Sequence, residues 1–408
     1  MRKVIYAFLF LGFLHVAYGI FVSQWTLEAF APETPFHATE QKLFYDYAGV
    51  IDVHTKKSTG SGDIPTIIQA ATADHLDFLV LNDLNDFKPD LSLNRYFDRV
   101  LVFVGGSYNY LDALLLNFDE RTLDHLQGPG RSQTAFADLL STADRDRSAG
   151  LLILSRPYNS GYHWDGDFPP GLDGIEVYNL KSLWQEHWLR SKGAFFWSLA
   201  IYPYNSTLAY LRLFVRSSAD QEIALWDRLN AKRPTLGFAG TDADAKIRLW
   251  GQSYWAIPSY ETLFSIVKNH VLIRSELTGQ AAADRQKISE ALRHGHFYFS
   301  LDILANPRGF TAYGLEKNKV IPLGDQAKIA PGLAYAVNLP DEPLVPFQTI
   351  IYKDGQPFVT STDVHARIPI QSPGVYRALV RLRVSLPWPD GTKWIDWILT
   401  NPIYIRGR

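Results

Sequence analysis

The sequence predicts an α/β protein, a largely parallel sheet or barrel over its first three-quarters and an antiparallel β region after it. Three observations carry this. Between residues 45 and 300, apolar strand-like runs alternate with segments of helical periodicity, as in β-then-α connections. Four of those runs end in polar residues: Gly49-Val50-Ile51-Asp52-Val53-His54-Thr55, Leu79-Val80-Leu81-Asn82-Asp83-Leu84-Asn85, Leu151-Leu152-Ile153-Leu154-Ser155-Arg156-Pro157 and Leu236-Gly237-Phe238-Ala239-Gly240-Thr241-Asp242-Ala243-Asp244. In open or barrelled α/β sheets that edge usually holds the chemistry. After about residue 305 Pro, Gly and β-branched residues become frequent and the runs shorten.

At the N-terminus, Arg2 and Lys3 precede an apolar run from Val4 to Val22, interrupted only by His15 and small residues. Two readings fit. Ala17-Tyr18-Gly19 supplies the small residues of a signal cleavage site, and the run also reaches the roughly 18 to 20 residues that a membrane span needs. Either way, residues 1–22 are a signal peptide or anchor, and the remaining chain is expected outside the cytoplasm, exported or membrane-anchored.

Residues 23–45, with Pro32 and Pro35, read as an irregular approach. Ile64, Ile67, Ile68 and Ala71 follow helical spacing and lead into the strand Phe78 to Leu81. Further helices are predicted over Phe136–Ala143, Ser182–Leu189, Ala219–Leu229, Tyr260–Ile273 and Ala282–His294. The apolar stretch Gly193–Val215 is broken by Pro203, Asn205 and Ser206, which predicts a buried helix pair with core aromatics rather than a second span. His294-Gly295-His296 reads as a helix end capped by Gly295.

In the last hundred residues, Thr349 to Tyr352 and Gln356 to Val359 flank Lys353-Asp354-Gly355, a tight-turn signal. Tyr376 to Val384 alternates apolar residues with Arg377, Arg381 and Arg383. These features predict an antiparallel β-sandwich over 305–408.

The 408 residues carry a formal charge of −2, with 47% hydrophobic and 20% charged residues. This is an ordinary globular composition without the basic field that nucleic-acid binding needs. Cysteine is absent, which excludes disulfides, thiolate ligands and a cysteine nucleophile. No Walker-type loop, Gly-x-Gly-x-x-Gly or Gly-x-Ser-x-Gly occurs, so nucleotide cofactors and serine-hydrolase chemistry are not indicated.

The four polar strand ends resemble the polymerase and histidinol phosphatase (PHP) family of metal-dependent phosphoesterases, over roughly residues 45 to 300. The family's usual His-x-His-Thr appears as Asp52-Val53-His54-Thr55, and its Thr-Asp-His-Asn as Asn82-Asp83-Leu84-Asn85. Its His-Pro appears as Arg156-Pro157, and its Asp-Ala-His as Asp242-Ala243-Asp244. Ser107 aligns with a ligating glutamate. The resemblance implies a distorted seven-stranded β/α barrel over 23–304. It also matches Gly174-Ile175-Glu176-Val177-Tyr178-Asn179 to a stretch common in the family, where Glu176 reads as a polar rim residue rather than a ligand.

The implied site has Asp52, His54, Asp83, Asp242 and Asp244 holding a divalent cation, Mn²⁺ or Mg²⁺ ahead of Zn²⁺, or no metal at all. Arg156 occupies a former ligand position, where its guanidinium can replace a second cation or clamp a phosphate. His163, Trp164, Asp165 and Asp167 form a loop able to cover the site. The function implied is phosphoester hydrolysis on a small phosphorylated molecule with a reduced metal site. The alternative is an inactive PHP-like binding protein acting through the barrel mouth or through a protein partner on the β-sandwich.

Overall fold

The computed structural model describes residues 2–30, 43–111, 113–118, 131–141, 150–159, 164, 168–216, 219–248 and 253–407. Pro32, Pro35, His163, Asp165 and Asp167 lie outside these. The architecture is mixed α/β, with a large, mostly parallel central sheet and a separate antiparallel sheet.

The chain begins with helix α1 (Arg2–Ser23), long and apolar enough by length and composition to cross a membrane. The central strands follow: β1 (Tyr45–Val53), β2 (Phe78–Leu81), β3 (Tyr96–Phe97), β4 (Val100–Val104), β5 (Gly106–Tyr110), β6 (Ala113–Asn117), β7 (Leu152–Ser155), β8 (Gly174–Asn179) and β9 (Leu236–Ala243). β1 runs parallel to β2, β2 to β4, β7 to β8 and β8 to β9, and β9 returns to lie parallel to the end of β1. The β5–β6 and β6–β7 pairs are antiparallel. β2, β4, β6 and β7 are buried along their whole length, as expected of strands covered on both faces.

Between them lie α2 (Ile64–Ala73), α3 (Arg131–Ser141), α4 (Leu180–Arg190), α5 (Lys192–Ile201), α6 (Ser206–Arg216) and α7 (Asp220–Lys232). Asp63 caps α2 by accepting from the Thr66 amide, Pro65 sits in its first turn, and Ile67, Ile68, Ala70 and Ala71 face the core. Asn179 caps α4 through Ser182. In the apolar α5–α6 pair, Leu208, Tyr210, Leu211 and Leu213 are buried as expected. Phe196 and Leu199 on α5 are not, so its aromatics are only partly core.

Beyond β9, β10 (Ile247–Arg248) and β11 (Tyr254–Trp255) pair antiparallel. The predicted helix Tyr260–Ile273 is corrected. Only α8 (Tyr260–Phe264) is helical, and β12 (Lys268–Ile273) pairs antiparallel with β1 and with β13 (Phe297–Ser300). Hydrogen-bonding partners on both sides, together with Val271 and Ile273, override the helical apolar spacing. Helix α9 (Ala281–His294) ends at Gly295, which takes a left-handed φ of 76° as the sequence predicts. His296 Nε2 lies 2.9 Å from Asp325.

Beyond it, β14 (Thr311–Glu316), β15 (Lys319–Ile321), β17 (Leu333–Asn338) and β20 (His365–Pro369) form the four-stranded antiparallel sheet. A second antiparallel ladder comprises β18 (Phe347–Lys353), β19 (Gln356–Ser361), β21 (Gly374–Leu386), β22 (Gly391–Thr400) and β23 (Ile403–Arg406), and the short β16 (Gln326–Lys328) joins β23 in parallel. Asp354 and Gly355 make the β18–β19 turn with φ of 51° and 76°. β22 also pairs with β13, so this ladder is hydrogen-bonded to the central sheet. Tyr335 on β17 and Thr400 on β22 bring hydroxyls within 3.1 Å, so the two C-terminal sheets touch.

Candidate metal and anion site

Asp52, His54, Arg156, Asp242 and Asp244 meet where β1, β7 and β9 end. Local backbone geometry aims them. Asp52, Arg156 and Asp242 have positive φ values of 63°, 50° and 43°, a region costly for residues with a Cβ and concentrated at functional sites. At Asp52 the β1 register shifts against both β2 and β9, a bulge that re-aims the side chain. The bulge is held by the Asp52 amide donating to Asn82 Oδ1 at 3.0 Å and by the Thr241 hydroxyl donating to the Ile51 carbonyl at 2.8 Å.

Asp52, His54 and Asp242 are all buried, and each offers a donor atom within 4.8 Å of the others. His54 Nε2 stands 3.3 Å from Asp52 Oδ1, 3.6 Å from Asp242 Oδ1 and 4.0 Å from Asp244 Oδ1. Among the described residues, neither carboxylate oxygen of Asp52 accepts a hydrogen bond. A buried carboxylate left in that state is costly unless a charge partner completes it. One imidazole and two carboxylates around an orphaned oxygen fit a single divalent cation.

Two protein cations share the site. Arg156 Nη2 contacts Asp242 Oδ2. Lys181, in the first turn of α4, lies 3.3 Å from Asp242 Oδ1 and pairs with Asp244 Oδ2. Burial acts to raise the Asp244 carboxyl, but His54 and Lys181 outweigh it and hold the group below its usual range. Thr59 also donates to Asp244.

Asp83 stands differently from its sequence expectation. Its carboxylate accepts from the Thr55 amide and hydroxyl, both at 2.7 Å, and from Ser58 at 2.6 Å. It ties down the loop after His54 and is outside the three-residue cluster. Leu84 bridges to Ser107, whose buried hydroxyl has no hydrogen-bond partner among the described residues.

Sequence reasoning missed two members. Lys181 had no motif of its own, though it follows the capping Asn179. Glu176, read as a rim residue, is buried and receives hydrogen bonds from Ser155 and Asn179. Burial first, then the charge of Asp52, raises the pKa of its carboxyl, against the lowering effect of the Ser155 and Asn179 hydrogen bonds and of the Arg156 charge. A Cβ at Gly240 would fall 1.6 Å from Glu176 Oε1, so the glycine makes room for this carboxyl. The Gly240-Thr241-Asp242 run and the Glu176 motif together were the available signal.

No protein-family model matches the chain, and no curated protein matches it. Solved structures do. A two-domain protein from Bacteroides vulgatus containing a predicted PHP-like metal-dependent phosphoesterase is 11% identical, with a TM-score of 0.40 over 91% of this chain and 98% of that one. A candidate metal-dependent phosphoesterase from Bifidobacterium adolescentis is 12% identical, with a TM-score of 0.27 over 50% of this chain and 91% of that one.

Proposed function

We propose that this chain is a PHP-like metal-dependent phosphoesterase with a reduced metal site. The observation that carries the reading is the buried Asp52–His54–Asp242 cluster, in which neither Asp52 oxygen accepts a hydrogen bond among the described residues. When bound, a cation there supplies charge neutralisation and a more acidic water. The carboxylate-rich donor set favours Mn²⁺ or Mg²⁺ over Zn²⁺. Asp244 stands next to the cluster and Asp83 buttresses its loop. Arg156 and Lys181 place two further positive charges at the same strand ends, where they would hold the oxygens of a small phosphorylated substrate.

The fold reading that goes with it is a distorted seven-stranded barrel made of β1, β2, β4 with β5, β6, β7, β8 and β9, followed by a C-terminal β-sandwich. Its support is the return of β9 to β1 and the Leu84–Ser107 bridge that joins β2 to β5. We also read α1 as a retained anchor, supported by the packing of its C-terminal end against Tyr204 and Asn205, and as leaving the remainder outside the cytoplasm, supported by Arg2 and Lys3 preceding its apolar run.

One observation favours a second reading, an inactive binding protein. Asp242 already contacts both Arg156 and Lys181, so protein cations can stand where metals would. The deciding experiment loads the purified full chain and its Asp242→Ala variant with Mn²⁺, removes the excess, and measures bound metal and phosphate release from p-nitrophenyl phosphate. Stoichiometric metal and Mn²⁺-dependent turnover, both lost in the variant, are expected. Metal without turnover on this or other phosphoesters selects the binding reading, and no metal in either chain overturns the proposed metal site.

A further inference from the structure

The far end of α1 is built into the body. A Cβ at Gly19 would lie 2.5 Å from the Tyr204 ring, so the glycine lets that ring close on the helix. The rings of His15 and Tyr204 meet edge-on at 5.5 Å, and Tyr18 packs 5.3 Å from Trp197. The Tyr18 hydroxyl donates to the Trp388 carbonyl. Asn205, in the turn between α5 and α6, donates to the carbonyls of Val22 and Trp25 at 2.9 Å each and so closes the helix end. Along the rest of α1 the apolar side chains from Val4 to Leu14 are uncovered.

A second apolar surface continues from that junction. Phe196 is 53% exposed and Trp388 73%, and Trp188, Leu189 and Leu199 are also exposed. Two ring clusters lie on neighbouring residues of α5: Trp388 meets Trp197 at 6.4 Å, and Trp188 meets Phe196 at 5.8 Å. The Lys192 ammonium sits 5.9 Å over the Trp188 ring. Exposed tryptophans beside a lysine, with Phe and Leu between them, are the composition of a protein surface at a lipid–water interface. Soluble surfaces do not usually gather large apolar side chains in this way.

We propose that this surface, α5 with the C-terminal end of α4 and the β21–β22 tip at Trp388, lies in the interfacial layer of the bilayer leaflet from which α1 emerges. The occupant follows from continuity. The 22 residues of α1 extend about 33 Å, close to the roughly 30 Å of a hydrocarbon core. A bilayer covering that length has its surface beside Val22, so Tyr18, about 6 Å deeper along the helix, and the patch that begins there lie in its outermost layer. The inference rests on α1 being retained and is independent of the phosphoesterase reading. It turns a flexible tether into a fixed seat and sets the direction in which the candidate site faces from the membrane.

The chain contains no cysteine, so single nitroxide labels can be placed at will. Phe196→Cys and Trp388→Cys are labelled in the full chain, reconstituted in phosphatidylcholine–phosphatidylglycerol nanodiscs, with Leu111→Cys in the β5–β6 turn as reference. Oxygen collision rates above those of a water-soluble nickel complex are expected at 196 and 388, with the opposite order at 111. Nickel-accessible labels at 196 and 388 overturn the proposal. Labels shielded from both reagents, meaning a protein cover, overturn it too, as does a mature chain recovered without α1. Leu199→Cys repeats the measurement if Trp388→Cys fails to fold.

Discussion

Asp52 Oδ1 lies 3.3 Å from Nε2 of His54 in a fully buried site, and among the described residues neither oxygen of Asp52 accepts a hydrogen bond. A chain selected only for stability would neutralise or pair such a carboxylate. Asp52→Asn keeps the shape and removes the charge. In a chelator the variant is expected to be more stable than the parent by on the order of 1–3 kcal/mol, and so to unfold at a higher temperature. The parent alone should gain stability from Mn²⁺, because the ion binds only the folded chain. Thermal unfolding of both proteins with and without the ion checks this, and a parent indifferent to Mn²⁺ would sink it.

Arg156 reaches Asp242 from a strained backbone position just beyond β7. A guanidinium there brings a permanent positive charge, which both satisfies Asp242 and repels a second cation. Arg156→His replaces that charge with a neutral ligand. The bound Mn²⁺ is expected to rise toward about two per chain, the number common in phosphoester hydrolases. Metal content unchanged from the parent would argue that Arg156 is not what limits the site.

Gly240 and Glu176 form a steric pair, since any Cβ at 240 overlaps the carboxyl at 176. Gly240→Ala is expected to cost about 1–3 kcal/mol, as overpacking of a tight core does. Glu176→Ala in the same chain should return part of that loss, because the two changes share one space. Urea titration of the two single variants and the double variant measures the coupling. Strictly additive losses would mean that the crowding at Gly240 lies elsewhere.

These residues also mark how far the sequence could be read. Strand ends were legible because an apolar run terminating in Asp, His or Arg leaves its polar residue at the sheet edge, and Asp52, His54, Arg156, Asp242 and Asp244 do converge. Lys181 was not, because a lysine near a helix start has no distinguishing local pattern and gains its role only from the return of β9. Asp83 sits at the expected strand end, but its oxygens serve Thr55 and Ser58, a choice fixed by loop geometry that no spacing encodes. Lys268–Ile273 was misread as helix for the same reason: its strand state depends on β1 and β13, far away in sequence. The exposed face of α5 was equally hidden, since apolar composition cannot distinguish protein interior from lipid contact.

His270 offers a test of the opposite end of β1. It is fully buried and stacked on Tyr298, with Nδ1 2.8 Å from Asp46 and Nε2 3.2 Å from Asp302. Burial alone would lower its pKa, but the two carboxylates reverse that and raise it to about 9 from an ordinary 6.5. Burial likewise works to raise Asp302, and His270 holds it below the usual carboxylate range. Because the folded-state pKa of the histidine exceeds the unfolded one, its charged form stabilises the fold. That contribution is complete below about pH 6.5 and is lost as pH rises through about 9. At about 1.4 kcal/mol per pKa unit, the amount at stake is on the order of 3 kcal/mol. Urea unfolding across this window should therefore show the parent losing stability toward the alkaline end. His270→Gln should be less stable at pH 6.5 and nearly flat over the same range. A parent whose stability does not change between these limits would mean that His270 is neutral in the folded chain and that Asp46 and Asp302 are compensated by other groups.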